Sequence, residues 1–84
     1  MKITIESTTK IVELVVNGYP VHARVWQGAS EAGVPVHAFI VRIVPEIPVD
    51  DPRHAALTAD FDRELTLRES PRPTVEAIPL RLII

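Results

Sequence analysis

The sequence predicts an α+β fold in which an antiparallel β-sheet carries one helix packed on a face, in the element order ββββαβ. Two observations lead to this fold class. Several short segments alternate apolar and polar residues with the period of two that is typical of half-buried strands, and one later segment repeats apolar residues at helical spacing. The chain has 84 residues, of which 46% are hydrophobic and none is cysteine. We therefore expect a single compact domain over residues 1–84 without disulfide bonds.

The first half of the chain is predicted to form four strands. Residues 2–7 alternate isoleucine with polar residues, residues 10–16 are rich in β-branched residues, and residues 21–26 alternate strictly. Residues 27–33 hold two glycines and are predicted to be a loop. Residues 34–44 are almost continuously apolar, which predicts a central strand covered on both faces.

A tight hairpin is predicted at Asn17-Gly18, a dipeptide typical of two-residue turns. This turn sets a register that aligns an apolar stack, which we expect to face the helix: Val16 with Tyr19, Leu14 with Val21, and Val12 with Ala23. On the other face the same register aligns Glu13 with His22 and Ile11 with Arg24, with Trp26 further along.

The second half of the chain is predicted to hold one helix and one strand. Residues 45–52 contain three prolines, which exclude regular structure there. Asp51 is the expected N-cap and Pro52 the first residue of a helix that extends to Glu69. The helix has one apolar stripe, formed by Leu57, Phe61 and Leu65. Residues 74–84 return to strand character, and Pro79 favours an edge position or a bulge.

The polar face of the hairpin is the first candidate binding surface. Tryptophan beside arginine is a combination enriched at protein–protein hot spots, and the two planar groups also stack on nucleobases. Alternatively, a second protomer or the C-terminal strand covers this face. The candidate binding residues of the sheet are Glu13, His22, Arg24, Trp26 and Arg42.

An acidic helix edge is the second candidate surface. Residues 46–69 carry seven carboxylates against three arginines, and the candidates on the helix are Asp60, Asp62 and Glu64. Such an edge suits docking on a basic surface or imitation of nucleic-acid phosphates. The alternative is a solvated helix face whose arginines form local ion pairs.

Neither a metal site nor catalysis is predicted. His22, His37 and Glu13 would form a metal triad only if the register brings His37 to the face of His22; otherwise Glu13 and His22 form a simple cross-strand pair. None of the three serines lies in a nucleophile-elbow context, and the three glycines have the spacing of turn residues rather than of a phosphate loop. We expect a protein without enzymatic activity and without a cofactor.

Charge and hydropathy restrict the partners. The formal net charge of −2 gives no overall attraction to DNA or RNA, so direct DNA binding is not expected. No apolar run is long enough to cross a membrane, and the first residues lack the apolar core of a signal peptide. These features favour a cytosolic protein.

Four stretches resemble a family of small, uncharacterised proteins encoded by tailed bacteriophages and prophages. They are residues 2–8 (KITIEST), 23–28 (ARVWQG), 34–43 (VPVHAFIVRI) and 77–84 (AIPLRLII). The resemblance covers most of the chain, whereas residues 45–58 lie where such proteins vary in length. It implies an accessory phage protein that works in the cytoplasm of the host bacterium, and it lends no catalytic residues.

These observations lead to three hypotheses about function. The first is an anti-defence inhibitor that occludes a host immune protein, such as a CRISPR effector complex, through the Arg24/Trp26 face and the acidic helix edge. The second is an oligomeric sponge that sequesters a nucleotide immune signal with His22, Arg24 and Trp26. The third is a minor structural or DNA-metabolism accessory protein. Surplus apolar surface in residues 34–44 and 80–84 further predicts contact with a second copy or a partner protein.

Overall fold

The computed structural model describes all 84 residues, which form one four-stranded sheet and two helices. In chain order the elements are β1 (Ile3–Val16), β2 (Tyr19–Ser30), β3 (Pro35–Ile40), α1 (His54–Glu64), α2 (Pro73–Glu76) and β4 (Arg81–Ile83). The strands lie in the order β3-β2-β1-β4. β4 runs parallel to β1, so the sheet is mixed and the prediction of a wholly antiparallel sheet is wrong at this strand. β4 runs parallel to β1, and not antiparallel to it, because the chain passes through both helices before it returns beside β1.

The first two predicted strands are one continuous strand, which corrects the predicted order ββββαβ. The pairing of β1 with β2 shifts between Ser7 and Ile11, so the strand has a bulge instead of a turn. Thr8 holds the bulge: its buried hydroxyl donates a hydrogen bond to the Val25 carbonyl at 2.6 Å and accepts one from the Lys10 amide at 3.1 Å. A threonine side chain therefore satisfies the backbone where the ladder is interrupted.

The hairpin between β1 and β2 has the predicted register. Asn17 and Gly18 have φ angles of 50° and 82°, as a two-residue turn of the primed type requires. Val16 pairs with Tyr19, and the turn aligns the two sets of side chains as expected, with Leu14 opposite Val21, Val12 opposite Ala23, Glu13 opposite His22, and Ile11 opposite Arg24.

The segment after the hairpin differs from the prediction in two ways. β2 continues to Ser30, so half of the predicted 27–33 loop is strand. β3 ends at Ile40 and lies at one edge of the sheet, whereas residues 34–44 were expected to form a central strand. β3 ends at Ile40 and lies at the edge because residues 41–50 are irregular and supply no further strand that could pair with it. A proline at the start of β3 also suits an edge strand, because proline has no amide to donate.

One face of the sheet, the core face, holds the buried core. Val12, Ala23 and Val25 are almost completely buried there together with Val75 of α2, and Phe39, Ile78 and Leu82 pack around them. The predicted apolar stack is therefore confirmed as the buried face at Val12, Leu14 and Ala23, whereas Val16 and Tyr19 at the hairpin end are exposed. The element that covers it is the four-residue helix α2, and the prediction that the long helix packs there is wrong.

The long helix is shorter than predicted and begins later. Asp51 does not cap it, because Pro52 and Arg53 form a turn and α1 begins at His54. The Asp51 carboxylate accepts a hydrogen bond from the Arg53 amide at 2.8 Å, and it pairs with the Arg53 guanidinium. These two bonds lower the pKa of Asp51 below its ordinary value. The predicted strand over residues 74–84 is reduced to α2 and β4, and β4 occupies the predicted edge position.

The chain segment between the two helices is fastened to the sheet by hydrogen bonds. At the β1 edge the Glu69 amide donates to the Ser7 carbonyl at 2.8 Å, and the Thr9 amide donates to the Glu69 carbonyl at 3.1 Å. The Arg72 guanidinium then donates to the carbonyls of Gly28 and Val36 at 3.3 and 2.9 Å. The segment thereby leads the chain around the β1 edge and onto the core face.

Candidate functional site

The face of the sheet opposite the core, here called the cleft face, carries the polar side chains that the sequence singles out. Strict alternation in β2 places Ala23 and Val25 on the core face, and therefore His22, Arg24 and Trp26 on the cleft face. In the β2–β3 register Ile40 lies opposite Arg24. Strand geometry alone thus brings Arg24 and Trp26 to one surface, as predicted.

A cleft of about 300 Å³ lies between this face and the C-terminal part of α1. Trp26 and Ile40 contribute its sheet wall, and Phe61 and Leu65 contribute its helix wall. Four charged side chains line the same space: Arg24, Arg42, Glu64 and Arg68. We call this space the arginine cleft. Its walls are apolar and aromatic, and three of its four charges are positive.

The position of α1 over this face follows from the apolar spacing of the helix. Phe61 and Leu65 are four residues apart, so they lie on the same side of the helix and line the cleft together. No residue of α1 is fully buried, and Phe61 is only half-buried. The helix therefore forms a wall that leaves space between itself and the sheet, instead of closing a second core.

Arg24 is held in place from below. Its Nη1 atom donates a hydrogen bond of 2.8 Å to the carbonyl oxygen of Thr8 in the bulge. Burial, and secondarily the positive charge of Arg68, lower the pKa of Arg24 below its ordinary value. Arg24 and Arg68 line the same cleft, so an anion bound there would reduce the repulsion between their positive charges.

A shallower hollow of about 320 Å³ adjoins the arginine cleft, and Trp26 lines both. The charged groups of this second hollow are the carboxylates Glu6, Glu64 and Glu69. The indole ring thus stands between an arginine-rich and a glutamate-rich region. An asymmetric ligand with one anionic end has a preferred orientation in such a field, because its anionic end is repelled by the carboxylates.

Ser7 is engaged in structure. Its hydroxyl donates a hydrogen bond of 2.8 Å to the Leu67 carbonyl, and its own carbonyl accepts from Glu69. These bonds fix the loop that carries Arg68 to the cleft face. The loop is therefore a positioned part of the cleft wall.

Glu13 and His22 lie on the cleft face but away from the arginine cleft. Their side chains approach to 3.7 Å, and Glu13 also pairs with Arg81 of β4 at 3.1 Å. His37 lies opposite Gln27 and so on the core face, where its ring packs edge-on against Phe39. Because Glu13 and His22 share one face and His37 lies on the other, the three side chains do not converge on a metal position, and no other group of potential metal ligands does so.

The three acidic candidates of the helix lie in different surroundings. Glu64 lines both hollows, whereas Asp60 is exposed and pairs with Arg63 at 3.4 Å, as in the alternative of local ion pairs. Asp62 is exposed and outside both hollows. Of the helix candidates, the structure brings only Glu64 together with Arg24, Trp26 and Arg42.

Sequence reasoning did not single out Phe61 and Arg68 as site residues. Arg68 lies in the loop after α1, so no helical spacing indicated it. Phe61 was assigned to the core stripe, and its spacing of four residues from Leu65 was the available signal. That signal is ambiguous without the face on which the helix lies, because the same stripe suits either side of the sheet.

No protein-family model, curated protein or solved structure matches this chain. Neither helix has the length and apolar character needed to cross a membrane.

Proposed function

We propose that the protein is a binding protein that sequesters a small organic anion carrying a planar ring, of the nucleotide class, in the arginine cleft. The observation that carries the proposal is the convergence of Arg24, Arg42 and Arg68 beside the indole ring of Trp26. Guanidinium groups bind phosphate oxygens in pairs of hydrogen bonds, and tryptophan stacks on nucleobases. The arrangement supplies both kinds of contact within one space.

The size and shape of the cleft suit a small ligand. Its volume of about 300 Å³ lies at the lower end of the range for small-molecule sites. Apolar side chains line two opposite walls, one on the sheet and one on α1. A planar ring between these walls would lose much of its contact with water, whereas its charged group would remain near the arginines.

The biological setting of the proposal rests on the resemblance to phage proteins. In the cytoplasm of a host bacterium, a phage protein that removes a nucleotide signal would silence the defence that depends on this signal. Sequestration requires tight binding and no chemistry, which agrees with the prediction of a protein without enzymatic activity. The arginine cleft supplies the contacts for the first requirement.

Isothermal titration calorimetry of the purified protein tests the proposal, with ADP-ribose, cyclic mononucleotides and cyclic dinucleotides as probes. We expect at least one probe to bind, and Trp26→Ala and Arg68→Gln to weaken its binding by at least about tenfold, equivalent to about 1.4 kcal/mol. Arg63→Gln is the matched control, because Arg63 lies on the same helix but outside the cleft and pairs only with Asp60. Absence of binding heat for every probe, or equal loss in the Arg63→Gln variant, would contradict the proposal.

A second candidate function is occlusion of a host defence protein. It is favoured by the exposed apolar residues that flank Arg42 at the cleft, Val41 and Ile43. An arginine surrounded by apolar side chains is a typical protein-binding hot spot. In this case an acidic side chain of the partner, such as a subunit of a CRISPR effector complex, would enter the cleft.

Titration of the purified effector with the protein separates the two candidates. Occlusion predicts a complex that Arg42→Glu abolishes and that forms without nucleotide. The sponge predicts no such complex, whereas binding of the nucleotide probe persists.

A further inference from the structure

The single chain exposes more surface to solvent than is typical of a compact monomer of the same mass. Its accessible surface is 6392 Å², whereas a compact monomer of this mass exposes about 5,000 Å². The radius of gyration is 15.2 Å, against about 12 Å for a compact chain of this length. Only six of 84 residues are buried. The excess of about 1,400 Å² is larger than the area of about 800 Å² that each partner loses in a stable interface of standard size.

Part of this surface is an uncovered region of the cleft face near the hairpin end, which we call the open strip. It consists of side chains from three adjacent strands: Ile11, Glu13 and Val15 of β1, His22 of β2, and Arg81 and Ile83 of β4. Ile83 lies beside Val15 in the β1–β4 register, and its side chain is 82% exposed. The residues of α1 that line the two hollows, Phe61 and Glu64, lie beside Ser7 and Trp26.

The apolar side chains of the open strip are only partly covered within the single chain. Val15 and Ile83 are neighbours across β1 and β4, and Ile11, which is 47% exposed, lies on β1 beyond Glu13, so these apolar side chains remain partly in contact with solvent. The same strands are buried on their other face by α2. A sheet with one closed and one open apolar face gains free energy when another surface covers the open face.

The charges of the open strip match a second copy of the same strip. Glu13 lies between His22 and Arg81, at 3.7 and 3.1 Å, so one acidic group stands beside two basic groups. In a two-fold interface every contact occurs twice, and each patch must be complementary to itself. A strip with both charges satisfies this condition, because Glu13 of each copy meets Arg81 of the other.

We propose that two copies of this chain pack face to face through the open strip, with Ile11 and Ile83 on either side of Glu13 and Arg81, which pair across the two-fold axis. The proposal does not depend on the ligand of the arginine cleft, although the strip borders the cleft where Ile11 lies opposite Arg24.

Sedimentation equilibrium of the purified chain over a wide range of concentrations tests the proposal. We expect a dimer that dissociates at least about tenfold more readily in the Ile83→Glu and Ile11→Glu variants, because each places a carboxylate where apolar side chains meet in the interface. Val49→Glu is the matched control, since Val49 is also an exposed apolar residue, at 87%, but lies in the irregular segment before α1 and is not part of the open strip. Circular dichroism shows whether each variant stays folded.

Three outcomes of this experiment would overturn the proposal: a wild-type chain that remains monomeric at every concentration, an oligomer that Ile83→Glu and Ile11→Glu leave intact, and an oligomer that Val49→Glu disrupts to the same extent. A dimer that dissociates only when the open strip is altered supports it.

Exchange of the charges gives a second and independent test. Glu13→Arg alone and Arg81→Glu alone each place like charges across the two-fold axis, so each variant should be monomeric. Mixing the two folded variants should restore a heterodimer, because opposite charges then meet at both crossings. Within each variant chain the two side chains still carry like charges, so intrachain pairing does not explain such a recovery. A mixture that remains monomeric would overturn the proposed pairing.

Discussion

The two faces of the β1–β2 hairpin are made by the same strands and have opposite properties. On the core face Val12 and Val25 are completely buried, and Val75 of the short helix α2 closes the layer. On the cleft face Arg24 and Trp26 are half-buried, α1 contributes no fully buried residue, and space remains between helix and sheet.

The difference shows that the length of a covering element does not decide how well it covers. α2 has four residues, but the chain on either side of it is tied to the sheet by Arg72 and by the strand β4. α1 has eleven residues, and its own side chains form no hydrogen bond with the sheet among those the structure contains. We infer that the core face stabilises the fold and that the cleft face is free to bind.

The largest expected effect on stability comes from a charge placed on the core face. Val25→Asp places an unpaired carboxylate where no solvent reaches, and we expect a loss of more than about 4 kcal/mol in the free energy of unfolding, enough to unfold a small domain. His22→Asp is its counterpart on the other face of the same strand, and its effect should stay within about 1 kcal/mol, because the side chain is 78% exposed and the main cost is the like charge of Glu13 opposite it. Urea unfolding followed by circular dichroism measures both. Equal effects of the two substitutions would contradict the assignment of the faces.

An intermediate effect is expected where β1 and β2 approach most closely. Gly28 lies opposite Ile5, and a methyl group on its α-carbon would overlap the carbonyl oxygen of Thr4. Gly28→Ala therefore forces the two backbones apart, and we expect a loss of about 3 kcal/mol, at the upper end of overpacking costs. In Gly33→Ala the methyl group meets nothing, and only the positive φ of 84° costs about 1 kcal/mol. The same unfolding experiment ranks the two, and a Gly33→Ala variant that is the less stable one would refute the argument.

The smallest effect on stability is expected just before the N-terminal end of α1, the helix that lies over the cleft face. The Arg53 amide and guanidinium lower the pKa of Asp51, so the ionised carboxylate stabilises the folded chain at pH values above the ordinary aspartate pKa. This contribution is lost as the pH falls through the lowered pKa. Asp51→Asn should therefore unfold at a slightly lower temperature than the wild type at neutral pH, with the difference vanishing in strongly acidic buffer. A difference that persists or grows in acid would contradict this explanation, and Asp50→Asn serves as the control.

Local patterns predicted the hairpin correctly. The turn at Asn17-Gly18, the register that follows from it and the division of β2 into two faces all depend on residues close in the sequence. The same patterns failed where no turn residue was needed: residues 2–16 form a single bulged strand, because Thr8 and Thr9 continue the backbone without reversing it. Gly28 was assigned to a turn on spacing alone, although it lies within β2.

The candidate site was predicted in part. Arg24 and Trp26 were expected on one surface because alternation in a strand fixes their side, and Arg42 and Glu64 were named without knowledge that they would meet there. Phe61 was assigned to the core, and Arg68 was counted only among the helix arginines expected to form local ion pairs. These residues reach the cleft only because α1 lies on one particular face of the sheet, which no local pattern specifies.

The sequence by itself therefore determined which side chains share each face of the hairpin, because a period of two and a two-residue turn are properties of neighbouring residues. Only the tertiary structure decided which face would be closed and by which element. That choice depends on long-range contacts, such as those of Ser7 with Glu69 and of Arg72 with Gly28, which lead the chain around the β1 edge and place α2 on the apolar side. As a result, the long helix lies over Trp26 and leaves the arginine cleft between them.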